Sequence, residues 1–297
     1  MKKIAYCIMV HNDVEHLKSL IKALGDNCEI FIHVDGYVDD KPFIDQIIAS
    51  NVHFLQPRIR VSWAGISMVD VMIELLRMAL NFSENFSHYV FLSGSCYPIK
   101  SSRTIDNFLN SNTETSFIKY IDLRDHPNYE KQVKYRYIME NPFGKRNRLT
   151  HQIHRVLRRI SIHLKIKNKW EKSIIPYGGS NWIALNNQCA KYVIEFHDRN
   201  SWFRNMFKYT YAPDEHYIHT ILGNSSLSSQ CTGLQEFQHF GLDYLANLHI
   251  IHISLTKWFT IYDWQQIADS NKLFVRKVRT LDGKTLVNMI NQEIINI

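Results

Sequence analysis

The first segment of the chain leaves few ways to fold. Residues 3–10 form an apolar run long enough for a buried strand, and it ends in the polar turn His11-Asn12-Asp13. Leu17, Leu20, Ile21 and Leu24 then recur at helical spacing, and Gly25 closes that helix. Residues 29–35 read as a second strand that stops at an acid, Asp35, before Gly36. A strand, a helix and a strand in so short a stretch make a βαβ unit, in which the two strands run parallel. Sheets of this kind bind ligands at the carboxyl ends of their strands. The first strand is followed by no G-x-G-x-x-G, and the chain holds no G-x-x-x-x-G-K-[ST], so dinucleotide binding and P-loop hydrolysis lose their support.

The pattern continues. Residues 60–65 predict a strand and turn, with Ser67 capping a helix whose apolar side carries Val71, Leu75, Leu76, Met78 and Ala79. Residues 88–92 predict a strongly apolar strand running into Ser93-Gly94-Ser95-Cys96-Tyr97-Pro98. A Gly/Ser turn at the end of a central strand suits close approach of backbone to a ligand, and equally an ordinary connection. A helix over 102–109 and a strand over 116–121 follow. With 297 residues, 45% of them hydrophobic, the chain can bury a large core as one α/β domain with a mostly parallel central sheet flanked by helices.

Charge is uneven. Between Lys145 and Lys172 stand ten Lys/Arg and one acid, Glu171, a net +9 that leaves −2 for the rest of a chain whose total is +7. Within this stretch Leu149, Ile153, Val156, Leu157, Ile160 and Leu164 recur at helical spacing, with Arg155, Arg158 and Arg159 on other faces. The commoner arrangement of such a helix packs its apolar face on its own domain and solvates the basic one. The other is peripheral contact with an anionic membrane or an anionic acceptor. Base-stacking aromatics do not interleave with the cations, so nucleic acid is not an expected partner. Five cysteines at 7, 28, 96, 189 and 231 form no Cys-x-x-Cys pair, which predicts free thiols and a cytoplasmic setting. The N-terminal apolar run lacks a small-residue cleavage site, and no window is long enough for a membrane span.

In the second half, Pro176 to Trp182 is a polar turn before a strand at 183–185, and a helix is predicted over 187–196. Tyr211-Ala212-Pro213-Asp214-Glu215-His216 looks like a helix start, with Pro213 at the first helical position and two acids at the positive end of the helix dipole. Glu215 is then either a charged helix terminus or a catalytic base on a rigid element. Near the end, Arg276 and Lys277 sit inside the apolar run 273–278. Cations so flanked are partly buried and require an anion, either a carboxylate of the chain or a phosphate.

Side by side, these stretches resemble the core-2/I-branching N-acetylglucosaminyltransferase family, which also holds peptide xylosyltransferases, and most of all its short bacterial members. The matching stretches, in order, are Val10-His11-Asn12, His33-Val34-Asp35, Val61 to Ser67, Leu92 to Lys100, Gly179-Ser180-Asn181-Trp182, Pro213-Asp214-Glu215 and Phe274-Val275-Arg276-Lys277. The resemblance implies a GT-A-like nucleotide-sugar transferase fold in a single catalytic domain. Residues 1–121 would form the nucleotide-binding half, 122–172 a basic insertion, and 173–297 the acceptor-binding half. It implies inverting transfer from a UDP-sugar, with no cofactor and no divalent metal, to a glycan acceptor. N-acetylglucosamine is the expected sugar and xylose the alternative. The setting would be cell-surface polysaccharide or lipopolysaccharide synthesis on a lipid-linked acceptor at the inner membrane surface. A non-catalytic sugar-nucleotide or glycan-binding protein of the same fold is the competing reading.

Carried over by position, Glu215 would be the base. Lys277, Arg276 and Lys257 would hold the diphosphate, and His11, Asn12, Asp35 and Ser67 would line the nucleotide pocket. Ser95, Cys96, Ser180, Trp182 and Asp214 would meet the sugars. Two departures stand out: Cys96 where relatives often have Asp, and Leu255-Thr256 where they often have His-Pro.

Overall fold

The computed structural model describes every residue except 84, 144–147, 240, 242 and 297. The cations Lys145 and Arg146 of the basic run therefore lie outside the described residues. Four parallel strands form one side of the main sheet, with β3 at its edge: β1 (Ile4–Val10), β2 (Cys28–Val34), β3 (Val52–Phe54) and β4 (His88–Ser93). β1 lies between β2 and β4, with Ile8 opposite Ile32 on one side and Leu92 on the other. β2 and β4 are buried along their whole length and β1 nearly so, which is why they read as continuous apolar runs.

Next in chain order are β5 (Cys96–Pro98), β6 (Ser116–Asp122), β7 (Tyr177–Gly178), β8 (Ala184–Asn186), β9 (Cys231–Leu234), β10 (His249–Ile251) and β11 (Phe274–Arg276). The large sheet runs β3-β2-β1-β4-β8-β6-β7, with β9 also on β6. β8 is antiparallel to both β4 and β6. A second sheet, β10-β11-β5, ties the C-terminal part to the turn that follows β4.

The helices are α1 (Val14–Leu24), α2 (Lys41–Gln46), α3 (Ile66–Phe82), α4 (Ser102–Asn110), α5 (Pro127–Lys134) and α6 (Arg148–Leu164). After them come α7 (Asn187–Arg199), α8 (Ser201–Phe207), α9 (Tyr217–Gly223), α10 (Trp264–Ala268) and α11 (Thr280–Ile290). Alternate residues of β1 feed two cores. Ile4, Tyr6 and Ile8 pack with Leu17 and Leu20 of α1 and Leu286 and Ile290 of α11. Ala5 and Cys7 pack with Val71, Leu75 and Leu76 of α3 and Val193 of α7. Each fully buried leucine contributes about 2 kcal/mol from area alone, so helices on both faces hold the sheet in place. Among the described residues no helix is long and apolar enough to cross a membrane.

Three local expectations change. Residues 60–62 form no strand, because their backbone bonds go to other loops, such as Val61 N to Asp35 Oδ1 at 3.1 Å. Gly65, not Ser67, is the N-cap of α3; Ser67 donates its N–H to Glu140 Oε1 at 2.7 Å, so a distant carboxylate sits at that helix start. The third concerns α6. Its apolar stripe faces outward, with Leu149 69% and Leu164 60% exposed, while Ser161 is its one buried residue among those described.

Candidate active site

The loops after β1, β2 and β4 meet at the carboxyl edge of the sheet, where Asp35 N bonds Val10 O and Gly94 N bonds Met9 O, both at 2.9 Å. Gly94 is required there, since a Cβ would lie 2.5 Å from Val10 Cγ2. His11 and Asn12 stand exposed at the rim. Asp13, at φ 57°, caps α1 through His16 N and also accepts from Thr280 N at 2.8 Å and Thr280 Oγ1 at 2.6 Å. Asp35 Oδ1 accepts from Tyr37 N and Val61 N, which pins the loop before α3. Ser67 is buried beneath that loop, its hydroxyl taken by Ser62 N at 2.9 Å.

Against this edge β11 delivers its two cations. Arg276 pairs in register with Cys96, donates to Ser93 Oγ and Ser95 Oγ, and lies over the Trp182 ring with Cζ 4.2 Å from its centroid. Among the described residues no carboxylate forms an ion pair with it. Burial, the largest cause, holds its pKa below the usual arginine range. Lys277 is likewise held below the usual lysine range, by burial first and then by Arg276, and its Nζ stands 5.8 Å from the Trp258 ring. Lys257 differs: it is ion-paired to Asp263, which neutralises it. Cys96 is fully buried with its thiol against Ser93, so it shapes the turn and presents no surface to a sugar.

The carboxylates stand on the turn between α8 and α9. Pro213–Glu215 is a single tight turn with Pro213 at its first position. Before it, Ala212 at φ 47° donates to the carbonyl of Ala64, itself at φ 59°, so two left-handed residues brace each other. Asp214 is buried and accepts from Asn181 Nδ2 at 2.7 Å. Glu215 is half-buried, and none of the described residues donates a hydrogen bond to its side chain. Burial raises both carboxyls above their ordinary range, and the Asp214 charge pushes Glu215 further in the same direction.

Beneath them His216 and His219 are wholly buried. His216 Nε2 bonds Gln132 Oε1 at 2.8 Å and His219 Nε2 bonds Ser180 O at 3.1 Å. Burial pushes them down to about 4 and about 3, so both stay neutral and supply no countercharge. Neither histidine nor Glu140 was singled out from the sequence; the His216 and His219 spacing of three on an apolar helix was the available signal for the first two.

Residues 179–182 touch both the carboxylates and Arg276. Gly179 N donates to Glu215 O at 2.8 Å, Asn181 holds Asp214, and Trp182 carries Arg276. Gly179 fits because it has no side chain: a Cβ would lie 2.2 Å from Lys119 O. Ser180 and Trp182 are themselves buried, so they position their neighbours more than they offer surface. Tyr37, Ser62, Trp63, Asn141 and Arg158 help line a cavity of about 100 Å³, and Trp63 meets Tyr211 edge-on at 5.9 Å. A proton acceptor, together with cations that have no carboxylate partner among the described residues, can deprotonate a hydroxyl and hold a leaving anion.

The model of the Core-2/I-Branching enzyme family matches residues 4–239. Among curated proteins, the chain is similar to xylosyltransferase 2 of Homo sapiens, 25% identical over 233 residues that make up 75% of this chain and 25% of that protein. It is also similar to a xylosyltransferase of Ciona intestinalis, 21% identical over 231 residues (76% of this chain, 25% of that one). Xylosyltransferase 1 of Rattus norvegicus is 26% identical over 231 residues (75% and 26%). The match thus spans about a quarter of the length of these relatives.

Proposed function

As the chain belongs to the Core-2/I-Branching enzyme family, we propose that it transfers a sugar from a UDP-sugar to a hydroxyl of a glycan acceptor, with inversion at the anomeric carbon. The observation that carries this is Arg276 with Lys277: two adjacent half-buried cations with no carboxylate partner among the described residues. A buried charge left unpaired is costly, and a diphosphate would compensate both. In this reading Glu215 takes the proton from the acceptor hydroxyl while its oxygen bonds to the anomeric carbon. The bond from that carbon to the diphosphate breaks, and its electron pair leaves on the UDP oxygen, where Lys277 and Arg276 meet the new charge. Metal independence belongs to the same proposal, since the cations supply what an ion otherwise would. His11, Asn12 and Asp35 border the nucleotide, and Ser95, Asp214 and Trp182 shape the sugar site.

The resemblance read from the sequence motifs favours N-acetylglucosamine as the transferred sugar, and the names of the curated relatives support xylose. The acceptor would be a lipid-linked glycan in cell-surface polysaccharide synthesis, met in the cytoplasm at the inner membrane face. Five cysteines, all free, support that compartment.

Calorimetric titration of UDP, UDP-N-acetylglucosamine, UDP-xylose, UDP-glucose and UDP-galactose tests the donor site, with and without EDTA, on wild type and Lys277→Ala. The expected result is one UDP-sugar bound regardless of EDTA and weakened about ten- to a hundredfold in the variant. Binding that needs Mn²⁺, or no binding of any uridine nucleotide, would overturn the assignment.

A further inference from the structure

Helix α6 is attached to the protein by polar bonds. Ser161 Oγ accepts from Ile138 N at 3.0 Å, His154 Nε2 bonds Ile138 O at 3.2 Å, and Arg136 N donates to Ile166 O at 2.8 Å just beyond the helix. Its apolar side chains are left free of that attachment. Leu149, Ile153, Val156, Ile160 and Leu164 are all 40% exposed or more, and spacings of three and four place them within roughly a quarter of the helix circumference. Arg148, Arg155 and Arg159 line one flank of this stripe, and Lys165, Lys167, Lys169 and Lys172 follow its end. From 148 to 172 the chain carries eight Lys/Arg and the single acid Glu171.

A soluble helix normally turns its apolar stripe to its own core. We infer that this outward stripe is a docking surface for an anionic lipid bilayer, lying in the interface plane with its leucines, isoleucines and valine among the acyl chains and its cations at the headgroups. Charge complementarity selects that occupant. A second copy of the chain would bring the same cations and one acid, so a self-paired α6 would set like charges together with nothing to offset them. The inner face of the same helix brings Arg158 to the cavity that Trp63 also lines, and Trp63 meets Tyr211, so docking would set that cavity at the bilayer surface. The surface itself does not rest on the role assigned to Glu215.

Co-sedimentation with vesicles tests it. The full chain is mixed with vesicles of phosphatidylcholine alone and of a phosphatidylcholine–phosphatidylglycerol mixture, at low and high salt. The wild type is expected to pellet with the anionic vesicles at low salt and to be released by high salt. Val156→Ser with Ile160→Ser, and separately Arg148→Gln with Arg159→Gln, should each lower the partition coefficient about tenfold. These positions are exposed, so melting temperature should hold, and the second pair serves if the first fails to fold. Wild type that ignores anionic vesicles, or variants that pellet as well as wild type, would overturn the proposal. So would light scattering that finds a wild-type dimer dissolved by V156S/I160S, because the face would then belong to a second copy.

Discussion

Replacing Glu215 by Gln separates chemistry from stability. The side chain is half-buried, accepts from none of the described residues, and sits beside Asp214, so its ionised form is disfavoured first by burial and then by a like charge. A general base must be ionised, so kcat/KM should rise with pH through an inflection above the ordinary carboxylate range, reported by the pair as a unit. Glu215→Gln should remove that inflection and lower kcat about 10² to 10⁴-fold. Asp214→Asn keeps the shape that meets Asn181 but removes the like charge, so the inflection should fall by about one unit, or about 1.4 kcal/mol.

Stability moves the other way. A carboxyl raised on folding binds its proton more tightly in the native state, so stability falls as pH climbs from the unfolded to the folded pKa. Above that window Glu215→Gln should therefore melt higher than wild type. Sugar transfer to acceptor, measured from pH 5 to 9 alongside melting curves, reads both quantities. A Glu215→Gln enzyme within tenfold of wild type, or one that melts lower at high pH, would refute the reasoning.

Arg276→Met replaces a half-buried cation, without a carboxylate partner among the described residues, with an apolar chain of similar length. The ligand-free protein should melt within about 1 kcal/mol of wild type while UDP affinity falls at least tenfold by calorimetry; a large stability loss with unchanged affinity would make Arg276 structural. Gly179→Ala puts a methyl 2.2 Å from Lys119 O, a backbone atom that cannot swing away, and should cost about 3 kcal/mol in urea unfolding. Asp13→Ala removes three bonds at once and should cost about 2 to 3 kcal/mol. Burial works to raise the Asp13 carboxyl, yet the Thr280 and His16 donors hold it below its ordinary range. Its contribution should therefore be full above the unfolded value and vanish as pH falls through the folded one, seen as acid-side urea curves that converge for wild type and variant.

Much of the site could be read in advance because its signals are local. Pro213 with two acids after it predicts a helix start; the structure makes of them a separate three-residue turn, and α9 begins only at Tyr217. Arg276 and Lys277 inside an apolar run demanded an anion, and the fold supplies no carboxylate among the described residues. Lys257 looked equivalent on paper. It is not, because Asp263 stands six residues on and folds back against it. Cys96 and Ser67 are both buried: Cys96 opens a strand, whose side chains alternate between two faces, and Ser67 lies in the first turn of α3 with its hydroxyl taken by Ser62 N.

The sequence alone determined the parallel strands β1, β2 and β4, the helices α1 and α3, and the cations and carboxylates available for a site, because apolar periodicity and turn chemistry act over a few residues. The short α2 and β3 carried no such signal. Tertiary structure decided what those groups meet. Asp13 reaches Thr280, Glu140 caps a helix that starts 74 residues earlier in the chain at Ile66, and Trp182 carries Arg276. None of these contacts has a local signature. Helix α6 makes the distinction sharpest: its period marked two faces, but a period is the same whichever face turns inward. In the folded chain three polar attachments around Ile138 and Ile166 lie on the inner side and the apolar stripe lies outside.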